Sequence, residues 1–251
     1  TKELRCVYSI LAGTLICKIV YDLTNAISGA FVIAYTKLTS QQKLEWNNRG
    51  FSTFHSIVVT CGCLYFLFIS DLFKDSENGP SIVYRSSVSS DALLGFSLGY
   101  FLSDLAMILY YYPALGGYEY IVHHGLSLFS IFQSLTLSQV QFYTMMVLFT
   151  EVTTPFVNLR WYLDVSGLKN GKIYLWNGVA LFFGWLAARI VLFLYLLYHA
   201  YLHFDEVRQV SGVCFYTLFC VPPALAAMNV YWFSKIARGM VKTLAKADHR
   251  Q

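Results

Sequence analysis

Apolar residues fall along this chain in about seven runs, each long enough to cross a hydrocarbon core of roughly 30 Å, which takes about 20 helical residues. The first lies within residues 6–35 and is blurred by Lys18 and Asp22. The others cover approximately 51–69, 92–112, 120–138, 142–159, 173–200 and 212–236. Between them stand chain breakers: DSENGPS (75–81), YPALGG (112–117), DVSGLKNGK (164–172) and QVSG (209–212). The link at 137–141 is so short that its flanking runs must form an antiparallel helical hairpin. Period-two alternation is absent, so the pattern predicts an all-α integral membrane protein and not a barrel of strands. No internal repeat or linker is visible.

Composition strengthens this reading. Hydrophobic residues make up 57% of the chain and charged residues 13%, with a mean hydropathy of +0.52; a soluble domain carries about 25% charged residues. The Lys and Arg residues between the runs are unevenly shared. One side receives Lys37, Lys43, Arg49, Arg160, Lys169, Lys172, Lys235, Arg238, Lys242, Lys246 and Arg250, the other only Lys2, Arg5, Lys74, Arg85 and Arg208. This asymmetry predicts a cytosolic carboxyl terminus. The segment SKIARGMVKTLAK spaces Lys235, Arg238, Lys242 and Lys246 as one helical face, suited to an anionic leaflet or to a solvated tail. The net charge of +4 calls for no nucleic acid. All six cysteines fall inside apolar runs, where a thiol behaves as a small hydrophobe. No cleavable signal peptide or N-x-[ST] sequon is legible, so the first run is expected to be its own insertion signal. Because the chain starts at Thr1 without a methionine, part of the natural amino terminus is expected upstream.

Ionisable groups within the runs are the candidates for function, because a charge in hydrocarbon is costly. They are Lys18, Asp22, His55, Asp104, His123, His124, Glu151 and Arg189. In the orientation above, His55 and His124 lie roughly 6 Å, and Asp104 and Glu151 roughly 12 Å, inside the cytosolic boundary; Asn229 lies at similar depth. At 100° per residue, His123 shares a face with Ser127, Ser130 and Ser134, whereas His124 shares one with Leu128, Ile131 and Leu135. Glu151 aligns with Thr144, Thr154 and Asn158, and Asp104 with Ser97, Tyr100 and Tyr111. These stripes predict a hydrated intramembrane cavity open to the cytosol. Ser and Thr stripes also serve plain helix packing, and His124 is expected to be a packing or supporting residue. Arg189, one turn after Trp185, could stack on that ring, pair with a carboxylate or anchor an anionic head group. Lys18 and Asp22 are spaced to pair with each other. The six histidines are too few, and His199, His203 and His249 too badly placed, for a membrane iron enzyme, so neither a metal nor a cofactor is expected.

The stretches KLEWNNRGFSTFHS (43–56), GYFLSDLAMI (99–108), YIVHHGLSL (120–128), TEVTTPFVNLRWYL (150–163) and MNVYWFSKIARG (228–239) resemble the TLC-domain family, and within it the branch of TLC domain-containing protein 4. The resemblance implies a six-helix TLC-type barrel around an internal, lipid-accessible cavity, preceded by one extra helix. It divides the chain into an amino-terminal transmembrane helix (1–39), a TLC domain (40–245) and a basic cytosolic tail (246–251). The ceramide synthases of this family are endoplasmic reticulum enzymes that use acyl-CoA as co-substrate, and their paired histidines match His123 and His124. The resemblance therefore nominates His123 and Glu151 as catalytic, with Glu151 holding the imidazole tautomer. Around them, His55, Asp104, His124, Asn158, Arg189 and Asn229 would line the cavity. The synthases carry an H-D-x-x-D run in the next helix, where this chain reads MMVLFTEVTTPFVNLRW, with Glu151 its only acid. The expected function is binding or regulation of membrane lipids, in lipid homeostasis at the endoplasmic reticulum, with a sphingolipid or acyl-chain ligand as partner. The alternative is acyl-CoA-dependent N-acyl transfer.

Overall fold

The computed structural model describes the backbone of residues 1–74 and 79–248 and the side chains of 1–74 and 79–242. Among them the chain is helical throughout, without strands. In order come α1 (Lys2–Phe31), α2 (Ile33–Thr36), α3 (Ser40–Leu64), α4 (Val88–Tyr110), α5 (Tyr118–Leu137), α6 (Gln141–Phe149), α7 (Thr154–Val165), α8 (Lys172–Trp185), α9 (Leu192–Leu202), α10 (Phe204–Val207) and α11 (Gly212–Asp248). Five stretches are long and apolar enough to cross a membrane: Lys2–Phe31, Ser40–Ile69, Val88–Tyr110, Lys172–Leu202 and Gly212–Lys242. The other two apolar runs are helical as well. However, α5 is diluted by its histidines, serines and Gln133, and the α6–α7 rod is interrupted by a tight 3-10 turn at Thr150–Thr153.

Local chemistry sets the helix ends. Thr39 and Gln42 form a reciprocal capping box at the start of α3, their two bonds being 3.2 and 3.0 Å long. Ser87 and Ser90 do the same for α4 at 3.0 and 2.8 Å. The predicted hairpin at 137–141 holds two residues in the left-handed region, Ser138 (φ 53°) and Val140 (φ 55°). A β-branched residue adopts that conformation only under constraint. Here the Val140 amide donates to the Val83 carbonyl at 2.7 Å, and Ser134 donates to the Gln139 carbonyl at 2.8 Å. Nearby, Glu206 accepts from Ser81 and pairs with His203. The His203 bond, followed by that of Ser81, holds the Glu206 carboxyl below the ordinary carboxylate range.

Packing places α3 against α4, α4 against α5, α5 against α11, α11 against α8, α8 against α7 and α7 against α3. Outside this set, α1 lies in the groove between α3 and α4. Its outer face presents Leu4, Leu11, Leu15, Ile19 and Phe31, an apolar surface that needs lipid and not water around it. Lys18 and Asp22 pair across one turn on that exposed side, as their spacing predicts. The inner face touches α4 through glycine. A Cβ on Gly13 would lie 2.2 Å from the Phe96 carbonyl oxygen, one on Gly99 would lie 2.2 Å from the Ile10 carbonyl oxygen, and one on Gly95 would lie 2.7 Å from Ser9 Cβ. Gly95 and Gly99 form a G-x-x-x-G pair, and removing side chains lets the two backbones meet where lipid offers no hydrophobic drive to bring them together.

Because backbone blocks any added side chain at this crossing, Gly99→Leu is expected to destabilise the protein by about 1–3 kcal/mol. Gly29→Leu, which meets open space, should stay within about 0.5 kcal/mol. Detergent-denaturation curves of the two variants against wild type measure the difference.

Candidate intramembrane site

Adjacent positions on α5 face about 100° apart, and the two histidines use that divergence to meet different partners. His124 turns toward α4, with Nε2 2.8 Å from Asp104 Oδ2 and Nδ1 2.9 Å from the Tyr120 carbonyl oxygen. A carbonyl only accepts, so Nδ1 carries a hydrogen, and the Nε2–Oδ2 contact needs one more proton between imidazole and carboxyl. His124 and Asp104 thus hold that proton jointly, as imidazolium with carboxylate or as imidazole with carboxylic acid. Asp104 also accepts from Tyr100 at 3.2 Å and from Asn48 at 2.7 Å. Donors from α3, α4 and α5 therefore converge on one buried carboxyl.

His123 points away from this cluster, edge-on to Trp232 of α11 at 5.5 Å. Its buried Nδ1 has no hydrogen-bond partner. Glu151 sits in the 3-10 turn, where tightened backbone turns the carboxylate inward; Oε2 accepts from Thr154 at 2.7 Å, and Oε1 lies 3.6 Å from Arg189. Arg189 itself rides a π-helical turn, Leu186–Val191, between α8 and α9, a distortion common at functional sites. Its guanidinium stacks on Trp185 at 4.5 Å and donates to Thr153 at 2.8 Å and to Asn229 at 3.4 Å. Of the three roles open to Arg189, two coexist.

These groups surround two adjoining voids. The larger is lined at its outer end by Glu45, Arg49, Arg160, Asp164 and Lys235, and at its inner end by Asp104 and His124. The second, much tighter, is lined mainly by apolar side chains, among them Ile131, Leu148, Phe193, Leu218 and Leu225. Phe101, His123, Glu151 and Arg189 line both, so they form the neck at which the outer vestibule, which holds the charged side chains, abuts the inner chamber.

The residues singled out from sequence divide accordingly. His123, Glu151 and Arg189 stand at the neck, Asp104, His124 and Asn158 line the vestibule, and Asn229 lines the chamber. His55 does not reach either void: it is fully buried, stacked on Tyr100 at 3.7 Å, with both nitrogens unpartnered. Glu151 is paired with Arg189 and Thr154 and makes no hydrogen bond to His123 Nδ1, which has no partner. The supporting role expected of His124 becomes a direct bond to Asp104. Ser127 and Ser130 line the chamber beside His123, whereas Ser134 is committed to the hairpin. Of the basic tail face, Lys235 stands exposed at the rim of the vestibule and Arg238 folds back on Ser234; the side chains of Lys246 and Leu244 lie outside the described residues, as does His249.

Several lining residues escaped sequence reasoning. Arg49 donates to Glu45 at 2.6 Å and to Asn158 at 2.9 Å, and stacks on Trp161 at 4.9 Å. The NNRG stretch that carries Asn48 and Arg49 could have nominated them, because three consecutive polar side chains at a helix entrance must find partners.

The TLC domain model matches residues 45–238, a range that holds all of these lining residues. The chain belongs to the TLC-domain family. It is 31% identical over 232 residues to TLC domain-containing protein 4-B of Xenopus laevis, covering 90% of this chain and 84% of that one. TLC domain-containing protein 4 of Homo sapiens is 29% identical over 222 residues, covering 84% and 80%. TLC domain-containing protein 4 A of Dictyostelium discoideum is 26% identical over 221 residues, covering 84% and 80%. With its apolar helices, membership makes this TLC-domain chain an integral, multi-pass membrane protein.

The shared proton makes the Asp104–His124 pair cooperative. Asp104→Ala is expected to cost about 3–5 kcal/mol by stranding a buried partner. Adding His124→Ala should cost less than the sum of the single changes by about 1 kcal/mol or more. A double-mutant cycle in bicelles reads the coupling directly, and strict additivity would break the assignment.

Proposed function

We propose that this TLC-domain protein binds a membrane amphiphile, with the polar head in the vestibule and the acyl tail in the chamber, and acts in membrane lipid homeostasis. The observation that carries this reading is the junction itself: a void that holds the charged side chains adjoins an apolar one at Phe101, His123, Glu151 and Arg189. An amphiphile has that polarity profile, and each methylene it buries in the chamber contributes about 0.8 kcal/mol. The unpartnered His123 Nδ1 and the unpartnered Ser130 hydroxyl offer hydrogen bonds to polar atoms at the head–tail boundary. The succession α3, α4, α5, α11, α8 and α7 supports a six-helix barrel enclosing the voids, with α1 outside and seven spans in all. The positive-inside asymmetry supports a cytosolic carboxyl terminus, and the vestibule then opens to the cytosol. A multi-pass protein of this family fits the endoplasmic reticulum.

Binding is favoured over N-acyl transfer by how the histidines are committed. His124 has both ring nitrogens occupied, one by a carbonyl and one by Asp104. His123 is open to a ligand, and its Nδ1 lacks the carboxylate that fixes the tautomer of the histidine in a catalytic triad.

Filling the chamber should displace the tail. Leu225→Trp, at a chamber wall only 1% exposed, is expected to abolish lipid co-purification seen by native mass spectrometry, whereas Leu194→Trp on the outer surface should not. The same instrument tests the alternative: an amide product from palmitoyl-CoA and sphinganine, lost in His123→Ala, would replace binding with catalysis. For orientation, a carboxyl-terminal tag in sealed microsomes should be cleaved by added protease, and protection would invert the topology.

A further inference from the structure

Resting on the lipid-binding reading, the charge balance of the vestibule says more about the head group. Its lining carboxylates are all engaged. Glu45 is held by Arg49, Asp104 by His124, Glu151 by Arg189, and Asp164 by Lys169 at 2.8 and 3.1 Å. Two lining cations are left over, Arg160 and Lys235, neither of which forms an ion pair with a described residue. Both also line a side void beside Gly178, Leu181 and Ile236, so they stand on one flank of the same opening.

Arg160 is positioned for a ligand rather than merely exposed. Its guanidinium carbon lies over Tyr174, 4.1 Å from the ring centre. A cation–π contact engages the charge without consuming the N–H donors, which stay available to an anion. The position depends on Gly178, where a Cβ would come within 2.7 Å of Arg160 Nη1. Lys235 lies over Tyr231, with Nζ 4.2 Å from the ring centre. An Arg fork beside a Lys point charge is the donor set that suits phosphate oxygens.

We infer that Arg160 and Lys235 form a phosphate site, and that the vestibule takes a lipid whose head group is a phosphate monoester. Lipid phosphate is the source that fits, because the site shares its vestibule with the neck to the apolar chamber, so one molecule can occupy both. Neutral lipids of the same chain length leave the two cations uncompensated.

The test uses two probes differing only in phosphate: 1-palmitoyl-lysophosphatidic acid and monopalmitoylglycerol, titrated into the full-length protein in detergent and read by native mass spectrometry. The expected result is at least about a tenfold preference for the phosphate-bearing probe, a ratio that corresponds to about 1.4 kcal/mol. The preference should fall to near unity in Arg160→Gln/Lys235→Gln, with monopalmitoylglycerol binding unchanged. Gly178→Ala keeps both charges but displaces the flexible guanidinium, and should lose most of the preference without loss of fold. Equal affinity for the two probes in wild type, or a preference that survives both variants, would overturn the phosphate site while leaving lipid binding intact. Failure of both probes to bind would sink the lipid-binding reading instead. Displacement by inorganic phosphate at equal concentration, or tighter binding of palmitoyl-CoA than of lysophosphatidic acid, would remove the lipid head group as the source.

Discussion

A charge in the hydrocarbon region of a membrane must be neutralised within the protein, because no water is there to solvate it, and this constraint organises the interior of the molecule. Asp104 takes its compensation from His124 and hydrogen bonds from Tyr100 and Asn48. Glu151 takes its own from Arg189, whose remaining donors go to Thr153 and Asn229. The first cluster ties α3, α4 and α5 together, and the second ties the α6–α7 rod to α11 and to the π turn that follows α8. A bundle in lipid gains little hydrophobic drive from bringing helices together, so these polar contacts and the close glycine crossing of α1 on α4 specify which helix sits beside which. Removing one member of a pair is far costlier than the pair's net worth, since the stranded partner stays buried.

Backbone irregularity is what aims these groups. Glu151 lies on the 3-10 turn that interrupts the α6–α7 rod, and Arg189 lies on the π turn between α8 and α9. A straight α-helix repeats its facing every 3.6 residues; over- or under-winding by part of a turn redirects a side chain that would otherwise meet lipid. The proline pair Pro222–Pro223 inside α11 deprives that helix of two amide donors beside the chamber, where Val221, Pro222 and Leu225 form the wall. These three distortions border the voids; a further π turn, Tyr65–Ile69, ends the α3 rod on the outer surface.

The resulting interior has a gradient, from paired and unpaired charges at the outer vestibule, through a neck with an uncommitted histidine, to an apolar chamber. It suits a ligand that is itself graded from polar to apolar. His124 is committed to Asp104 and Glu151 to Arg189 and Thr154, whereas His123 Nδ1 has no partner. The surplus of Arg160 and Lys235 gives the outer end a sign. Under the proposed reading, the head group and not the chain would set specificity, because an apolar wall discriminates chains only by volume.

Much of this molecule was legible in its sequence. Hydrophobic runs spaced by Gly, Pro and charge predicted the helices, because helix length and apolarity are local properties dictated by membrane thickness. The scarcity of ionisable residues within those runs drew attention to Asp104, His123, His124, Glu151 and Arg189, because burying charge is costly at any position. Helical phase correctly set His123 on the Ser127 and Ser130 face, since a regular helix preserves it. Pairing was legible only in part: Lys18 with Asp22 and Arg189 with Trp185 follow from spacing along one helix. The resemblance matched Glu151 to His123, yet Glu151 meets Arg189 and Thr154. His55 had the depth of a cavity residue but stacks behind Tyr100. Each of those outcomes depends on which helices are neighbours and on how far each is rotated. Only tertiary packing decides these, because a partner's direction is a property of two helices and not of either sequence alone.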